Sequence, residues 1–332
     1  QMSGVVLAVD TSNYTTSAAL CGDGLRIIKT ASRLLPVEKG HLGLRQSEAV
    51  FHHTRALPEI VSTVLSENDL AVKAVAVSKR PRDGEDSYMP CFLAGNSVAE
   101  SIGAALHVPV FGFSHQAGHI AAALYGAERL DLLKQKFIAF HLSGGTTEGV
   151  LVTPDEQKVF CIKILSKTLD LNAGQAVDRV GALLGLDFPA GIELEKLAKT
   201  VICEERKGQN GLPDGALEKS LKGVKPCLKG ADCCLSGVVN RCEQLLKEGG
   251  KKEYAAYLCL EYIAKTLDKM TEALLSEAGD LPVVYSGGVM SNQIIRQKIT
   301  SKYGDRAVFS PPEFSRDNAA GTAILGGFKY GL

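Results

Sequence analysis

The feature that most constrains this chain is an internal repeat in its predicted secondary structure. The order strand, strand, strand, helix, strand, helix, strand occurs twice. In the first copy, apolar runs predict strands at 4–9, 16–21 and 25–31, a helix over 46–66, a strand at 74–78, a helix over 93–106 and a strand at 109–111. In the second, strands are predicted at 137–142, 149–153 and 158–165, a helix over 253–278, then a strand at 282–286, a helix over 292–302, a strand at 306–309 and a closing helix over 317–329. The long helix carries Leu258, Tyr262, Leu267, Met270 and Leu274 on one stripe. An insertion at about 166–246, with Lys/Glu/Gly-rich stretches such as 203–215, is expected to be mostly helical with loops. Strand runs alternating with helical periods predict an α/β class with two lobes, 3–113 and 114–332.

Each copy has a polar turn after its first strand: Asp10-Thr11-Ser12 in one, Ser143-Gly144-Gly145 in the other. Paired polar hairpins offer backbone N–H groups and hydroxyls to phosphates from opposite sides, which points to a nucleotide clamp. Asp10 and Ser12 suit magnesium or phosphate, and equally an Asx turn. Ser286-Gly287-Gly288-Val289, with Asn292 before a helix, repeats the glycine pair, and each pair alone is also an ordinary tight turn. A doubly wound dinucleotide fold fits less well, because no G-x-G-x-x-G follows a strand and three strands run in succession.

His115 and His119 stand four residues apart, which puts both imidazoles on one helix face, able to share a metal. Two unrelated histidines is the bland alternative. Gln116 follows His115, so the glutamate of an H-E-x-x-H peptidase is missing. Asp317 is either a ligand or a helix N-cap. His141, at the end of a strand, is a third candidate ligand, a nucleotide contact or an edge-of-core histidine. Lys plus Arg and Asp plus Glu are 37 each, which excludes gripping nucleic acid through bulk charge and leaves only local patches. Runs such as 79–82 and 219–229 are such patches or simply solvated loops. No apolar run reaches the roughly 18–20 residues that span a membrane. Nine cysteines without a C-x-x-C pair read as reduced, mostly buried thiols, and a cytoplasmic location is expected.

Taken together, the motifs resemble the TsaD/Gcp/Kae family of tRNA threonylcarbamoyladenosine synthases, once called glycoprotein endopeptidases. They run in order through Asp10-Thr11-Ser12, His115-x-x-x-His119, Ser143-Gly144-Gly145, then Leu169 to Arg179, Leu184 to Gly191 and Ser236-Gly237. Ser286-Gly287-Gly288-Val289 with Asn292, and Pro311-Pro312-Glu313 with Asp317-Asn318, complete the set. The resemblance implies duplicated ribonuclease H-like lobes of the actin/Hsp70/sugar-kinase (ASKHA) superfamily, with a helical insertion in the second lobe. It implies one divalent metal, iron or zinc, held by His115, His119 and Asp317, with His141 where some members place a tyrosine ligand. ATP or threonylcarbamoyl-AMP, with magnesium, would meet Ser143, Gly144 and Gly145 through its phosphates. Asp178 and Gly191 would meet the ribose, with Glu195 a further candidate, and Asn292 the adenine.

The implied activity is transfer of the threonylcarbamoyl group to the adenosine beside the tRNA anticodon. The implied partners are tRNA, a paralogous actin-fold subunit and a small ATPase. Four departures mark a divergent branch: the charged stretch 79–90, Thr146 and Asp10 where the family has His and Glu, and Ser114 before the first histidine. The competing reading is a nucleotide- and metal-binding paralogue that scaffolds the modification complex without transfer.

Overall fold

The structure, a computed structural model, describes residues 3–36, 44–66, 70–84, 86–206, 221–315 and 319–332. The expected repeat is present. The first copy runs β1 (Ser3–Asp10), β2 (Thr15–Gly22), β3 (Arg26–Leu34), α1 (Gln46–Val64), β4 (Leu70–Arg80), α2 (Phe92–Leu106) and β5 (Val110–Ser114). Its sheet order is β3-β2-β1-β4-β5, with β1 antiparallel to β2 and parallel to β4. The second copy begins β6 (Phe137–Leu142), β7 (Thr147–Asp155) and β8 (Val159–Lys167).

The insertion then supplies α4 (Ala173–Leu184), α5 (Gly191–Arg206), a short hairpin of β9 (Cys227–Lys229) and β10 (Asp232–Cys234), and α6 (Ser236–Lys247). After it come α7 (Lys252–Ala278), β11 (Val283–Ser286), α8 (Gln293–Tyr303) and β12 (Ala307–Phe309). The second sheet reads β12-β11-β6-β7-β8, which is the first order over again with equivalent strands substituted. In both sheets the first strand pairs antiparallel with the second and parallel with the strand that follows the first long helix.

Two further helices complete the description: α3 (His115–Gly126) and α9 (Ala320–Tyr330). The chain divides into two compact units, one of 1–135, 153–162 and 313–332, the other of 136–152 and 163–312. The expected break between 113 and 114 therefore falls elsewhere. Residues 114–135 stay with the first unit because α3 packs against α9, and α9 lies on the first sheet with Ile324 and Leu325 fully buried. Leu25, expected in a strand, stands instead in a short 3-10 turn with φ of 58°. The hairpin β9–β10 is an addition to an insertion expected to be mostly helical with loops. Residues 207–220, within the expected insertion, lie outside the described residues.

The core of the second unit is built around α7. The predicted stripe of Leu258, Tyr262, Leu267, Met270 and Leu274 is buried there with Ile138, Phe140 and Tyr285 from the sheet. Each fully buried large apolar side chain contributes about 1.5–3 kcal/mol. In the first unit β1 is buried along both faces, as a central strand flanked by helices must be. Among the described residues no helix is long and apolar enough to cross a membrane.

The α3–α9 crossing depends on two glycines. A Cβ built on Gly321 would lie 1.8 Å from the Gly118 carbonyl oxygen, and one on Gly118 would lie 2.9 Å from Thr322 Oγ1. Gly321→Ala is expected to cost roughly 1–3 kcal/mol or more, because backbone has to move. Gly118→Ala is expected to cost less, since a threonine hydroxyl can turn aside. Urea unfolding of the two variants checks the order.

Candidate functional site

In the first unit the site is built on a buried carboxylate. Asp10 ends β1 and is 1% exposed. Its Oδ1 accepts the Ser12 N–H at 2.7 Å, closing the Asx turn that the sequence left as one alternative. Its Oδ2 accepts the Ser78 hydroxyl at 2.5 Å and faces His115 Nδ1 at 2.9 Å. Ser78 Oγ, at the end of β4, also meets Thr322 Oγ1 on α9 at 3.0 Å. Three segments thus converge on the Asp10 side chain, and a fourth, α9, holds Ser78. Burial is the largest influence on Asp10 and pushes its pKa up. The charge of His115 and the hydrogen bonds from His115, Ser12 and Ser78 outweigh burial and hold it below the ordinary 3.8.

His115 opens α3, whose N-terminus is capped by Ser114 Oγ accepting the Ala117 N–H at 3.3 Å. The His115 and His119 rings meet edge to face with centroids 4.3 Å apart, so the i, i+4 spacing does bring the imidazoles together. With Nδ1–H donating to Asp10, the uncharged form of the His115 ring has its lone pair on Nε2. This carboxylate–imidazole arrangement is the one that orients metal-binding histidines, and to that extent these residues fit the implied divalent ion. Asp317 lies outside the described residues, as does Asn318. Among the described residues no group of three or more His, Cys, Asp or Glu side chains is gathered to hold a metal ion. Asp10 itself, expected to face magnesium or phosphate, is occupied on both oxygens by protein donors. Ser12 Oγ, by contrast, is buried with no hydrogen-bond partner among the described residues.

His141 belongs to the second unit. Its Nδ1 is 3.2 Å from Ser286 Oγ, the residue opposite it on β11. Because the Ser286 hydroxyl donates to the Phe140 carbonyl at 3.0 Å, it accepts from His141 Nδ1–H. That again leaves the lone pair on Nε2.

The second unit also holds a cavity of about 340 Å³. Ser143, Gly144, Asp178, Gly191, Glu195 and Asn292 line it, all expected nucleotide contacts. Gly145 does not line it: its N–H, at 3.3 Å, and that of Thr146, at 3.1 Å, donate to Ser143 Oγ within the turn. Asp178 Oδ1 accepts the Ala190 N–H at 2.9 Å, which ties the middle of α4 to the start of α5. Asn292 Oδ1 caps α8 by accepting the Ile294 and Ile295 N–H groups, both at 3.1 Å, so the side-chain NH₂ is the group left to donate. Glu195 pairs with Lys199 at 2.7 Å and accepts the Gln293 N–H at 3.3 Å.

Val177, Pro189, Ile192 and Leu260 supply an apolar wall that motif reading did not assign. Val177, Pro189 and Ile192 lie in or next to the motifs around Asp178 and Gly191, whereas nothing in the motifs points to Leu260. Gly174 holds α4 against the turn, since a Cβ there would lie 2.5 Å from the Gly144 nitrogen. Polar groups set in a concave, mostly apolar pocket suit a ligand with a phosphate and an aromatic base.

By fold, the chain is similar to HypF in its phosphate- and nucleotide-bound form, with a TM-score of 0.55 and 14% identity over 96% of this chain and 54% of that one. It is also similar to component A of the Acidaminococcus fermentans (R)-2-hydroxyglutaryl-CoA dehydratase, with a TM-score of 0.51 and 13% identity over 99% and 100%. The fold is that of the actin/Hsp70/sugar-kinase class, two duplicated α/β lobes.

In sequence, the family described as tRNA N6-adenosine threonylcarbamoyltransferase, TsaD, matches residues 38–324. The proteins of that name from Thermosipho africanus (strain TCF52B) and Moorella thermoacetica (strain ATCC 39073 / JCM 9320) are 28% and 29% identical. The alignments cover 97% and 98% of this chain, and 93% and 92% of theirs. The chain belongs to the TsaD family, whose namesakes modify tRNA.

Two outcomes test the first-unit network. Asp10→Ala strands the Ser78, Ser12 and His115 donors and is expected to cost roughly 3–5 kcal/mol of stability. The lowered Asp10 pKa adds a pH dependence. Its contribution is complete above the ordinary 3.8 and is lost as pH falls below that value through the folded one. Urea midpoints recorded from pH 6 down to about 3 should therefore fall less steeply in Asp10→Asn than in the parent.

Proposed function

We propose that this chain transfers the threonylcarbamoyl group of threonylcarbamoyl-AMP to the exocyclic amine of the adenosine beside the tRNA anticodon. The observation that carries the reading is the second-unit cavity, where residues from the turn after β6, from α4 and α5 and from the N-cap of α8 that the family motifs assign to one nucleotide meet. Ser143 and Gly144 face the phosphate. Asp178 and Gly191 face the ribose. The Asn292 amide donates to the base, which lies along Val177, Ile192 and Leu260. The adenosine amine attacks the carbamoyl carbonyl, the bond from that carbon to the phosphate oxygen breaks, AMP leaves and the amine gives up a proton. Binding both reactants in register supplies most of the acceleration, and donors at the turn stabilise charge on the departing phosphate.

His115, His119 and Asp317 would hold the divalent metal, iron or zinc. When bound, such an ion supplies a Lewis acid for the carbonyl oxygens. Asp10 acts as a positioning residue that keeps His115 in one tautomer. tRNA is reached with help from a paralogous actin-fold subunit and a small ATPase, since the chain has no net charge of its own.

A second reading, a nucleotide- and metal-binding scaffold without transfer, is favoured by the charged segment that follows β4. That segment lies on the histidine helix, with the Gln116 N–H donating to the Pro81 carbonyl at 3.0 Å. Purified chain, partner subunits, threonylcarbamoyl-AMP and unmodified tRNA decide between the two. Transfer gives the modified nucleoside. A scaffold gives none under conditions where an orthodox relative works, and does not rescue a strain lacking the modification enzyme.

Asp178→Ala and Asn292→Ala are each expected to weaken ATP binding roughly tenfold to hundredfold by calorimetry. His119→Ala is expected to lose the metal in elemental analysis while keeping thermal stabilisation by ATP.

A further inference from the structure

The hairpin β9–β10 lies outside the cavity and has no part in the reading above. Its register places Cys234 directly opposite Cys227 and Cys233 opposite Leu228. Opposed residues on antiparallel strands have Cα atoms about 4.5–5.5 Å apart, within the roughly 4.4–6.8 Å that a disulfide spans. Cys227 and Cys234 project from one face of the hairpin, while Cys233 points to the other face and is fully buried. Cys227 is exposed and Cys234 partly so, whereas Cys21, Cys91, Cys242 and Cys259 are buried.

The frame around the pair is fixed. Tyr262 on α7 donates its hydroxyl to the Cys234 carbonyl at 3.4 Å. The Asp170 carboxylate accepts the Leu235 and Ser236 N–H groups at 2.7 and 3.0 Å. Asp170 in turn leads through Leu171 and Asn172 into α4, the helix that carries Gly174 and Asp178, so the hairpin is anchored to the segment that shapes the cavity.

We propose that Cys227 and Cys234 form a redox modification site, closing to an intramolecular disulfide when they meet a small-molecule disulfide of the oxidised-glutathione class. Cys227 reacts first, because it is exposed. Burial, then the neighbouring Cys227, raises the Cys234 pKa and makes it the slower thiol to ionise. The Cys227 thiolate attacks one sulfur of the reagent, whose S–S bond breaks and releases one thiolate. The Cys234 thiolate then attacks Cys227 Sγ and expels the second. The protein loses two electrons and two protons, and the reagent becomes two thiols. A disulfide that is exposed and joins directly opposed strand positions is the labile, reversible kind.

The test uses the full-length chain incubated with oxidised glutathione, then intact mass and a non-reduced tryptic map. Expected is a loss of two hydrogens and one linked peptide pair, both reversed by dithiothreitol. Cleavage after Lys229 separates Cys227 from Cys234, and Cys234→Ser distinguishes Cys234 from its neighbour Cys233. Cys227→Ser and Cys234→Ser should each abolish the link and stop at a glutathione adduct, while Cys161→Ser keeps it. The proposal is overturned if the parent chain stays unmodified, stops at separate adducts on the two cysteines, or links either of them to a different cysteine.

Discussion

The buried negative charge of Asp10 is the constraint on which the first unit depends. A carboxylate removed from water costs several kcal/mol, roughly, unless donors surround it. Here the donors come from the chain's first turn, the end of β4 and the start of α3, and Ser78 is in turn held from α9. None of these elements is near another in sequence, so a correctly assembled sheet and both helices are needed before the charge is satisfied. The same contact orients His115 and thereby the histidine pair. One interaction thus couples assembly of the lobe to the geometry of its candidate metal ligands.

The second unit reaches a preorganised site by other means. Its cavity is set by hydrogen bonds between side chains and backbone: an asparagine that caps a helix, an aspartate tied to a backbone amide, and a serine that closes its own turn. Such groups keep their positions with little electrostatic strain, and the glycine contact between α4 and the turn brings backbone to the cavity wall. The apolar side then comes from helices that the core of α7 holds in place.

Much of this was legible in the residues. The repeat gave the order of strands and helices because alternating and 3.6-residue apolar periods are local signals. Ser143, Asp178 and Asn292, which the motifs single out, line one cavity. Contacts that depend on distant pairing were hidden. Ser78 and Thr322 carry no motif, and Asp10 meets His115 across 105 positions. Leu25 looks like a strand residue by type, yet the bend that joins β2 to β3 puts it at positive φ. The Cys227–Cys234 pairing escaped notice because three-residue strands are too short to show a period. The unit boundary was misplaced because nothing local in residues 320–330 says which sheet they cover.

That last feature bears on biosynthesis. The first sheet is translated early, but the helix that covers it, Ala320–Tyr330, leaves the ribosome only after the whole second unit. Until then the apolar face of β1 and the Ser78 hydroxyl lack the packing that Ile324 and Thr322 bring. Domains ordinarily fold as they emerge, N-terminal first. In this protein the lobe made first is the one completed last, and a nascent chain passes through a stage in which that half is open on the face that α9 covers.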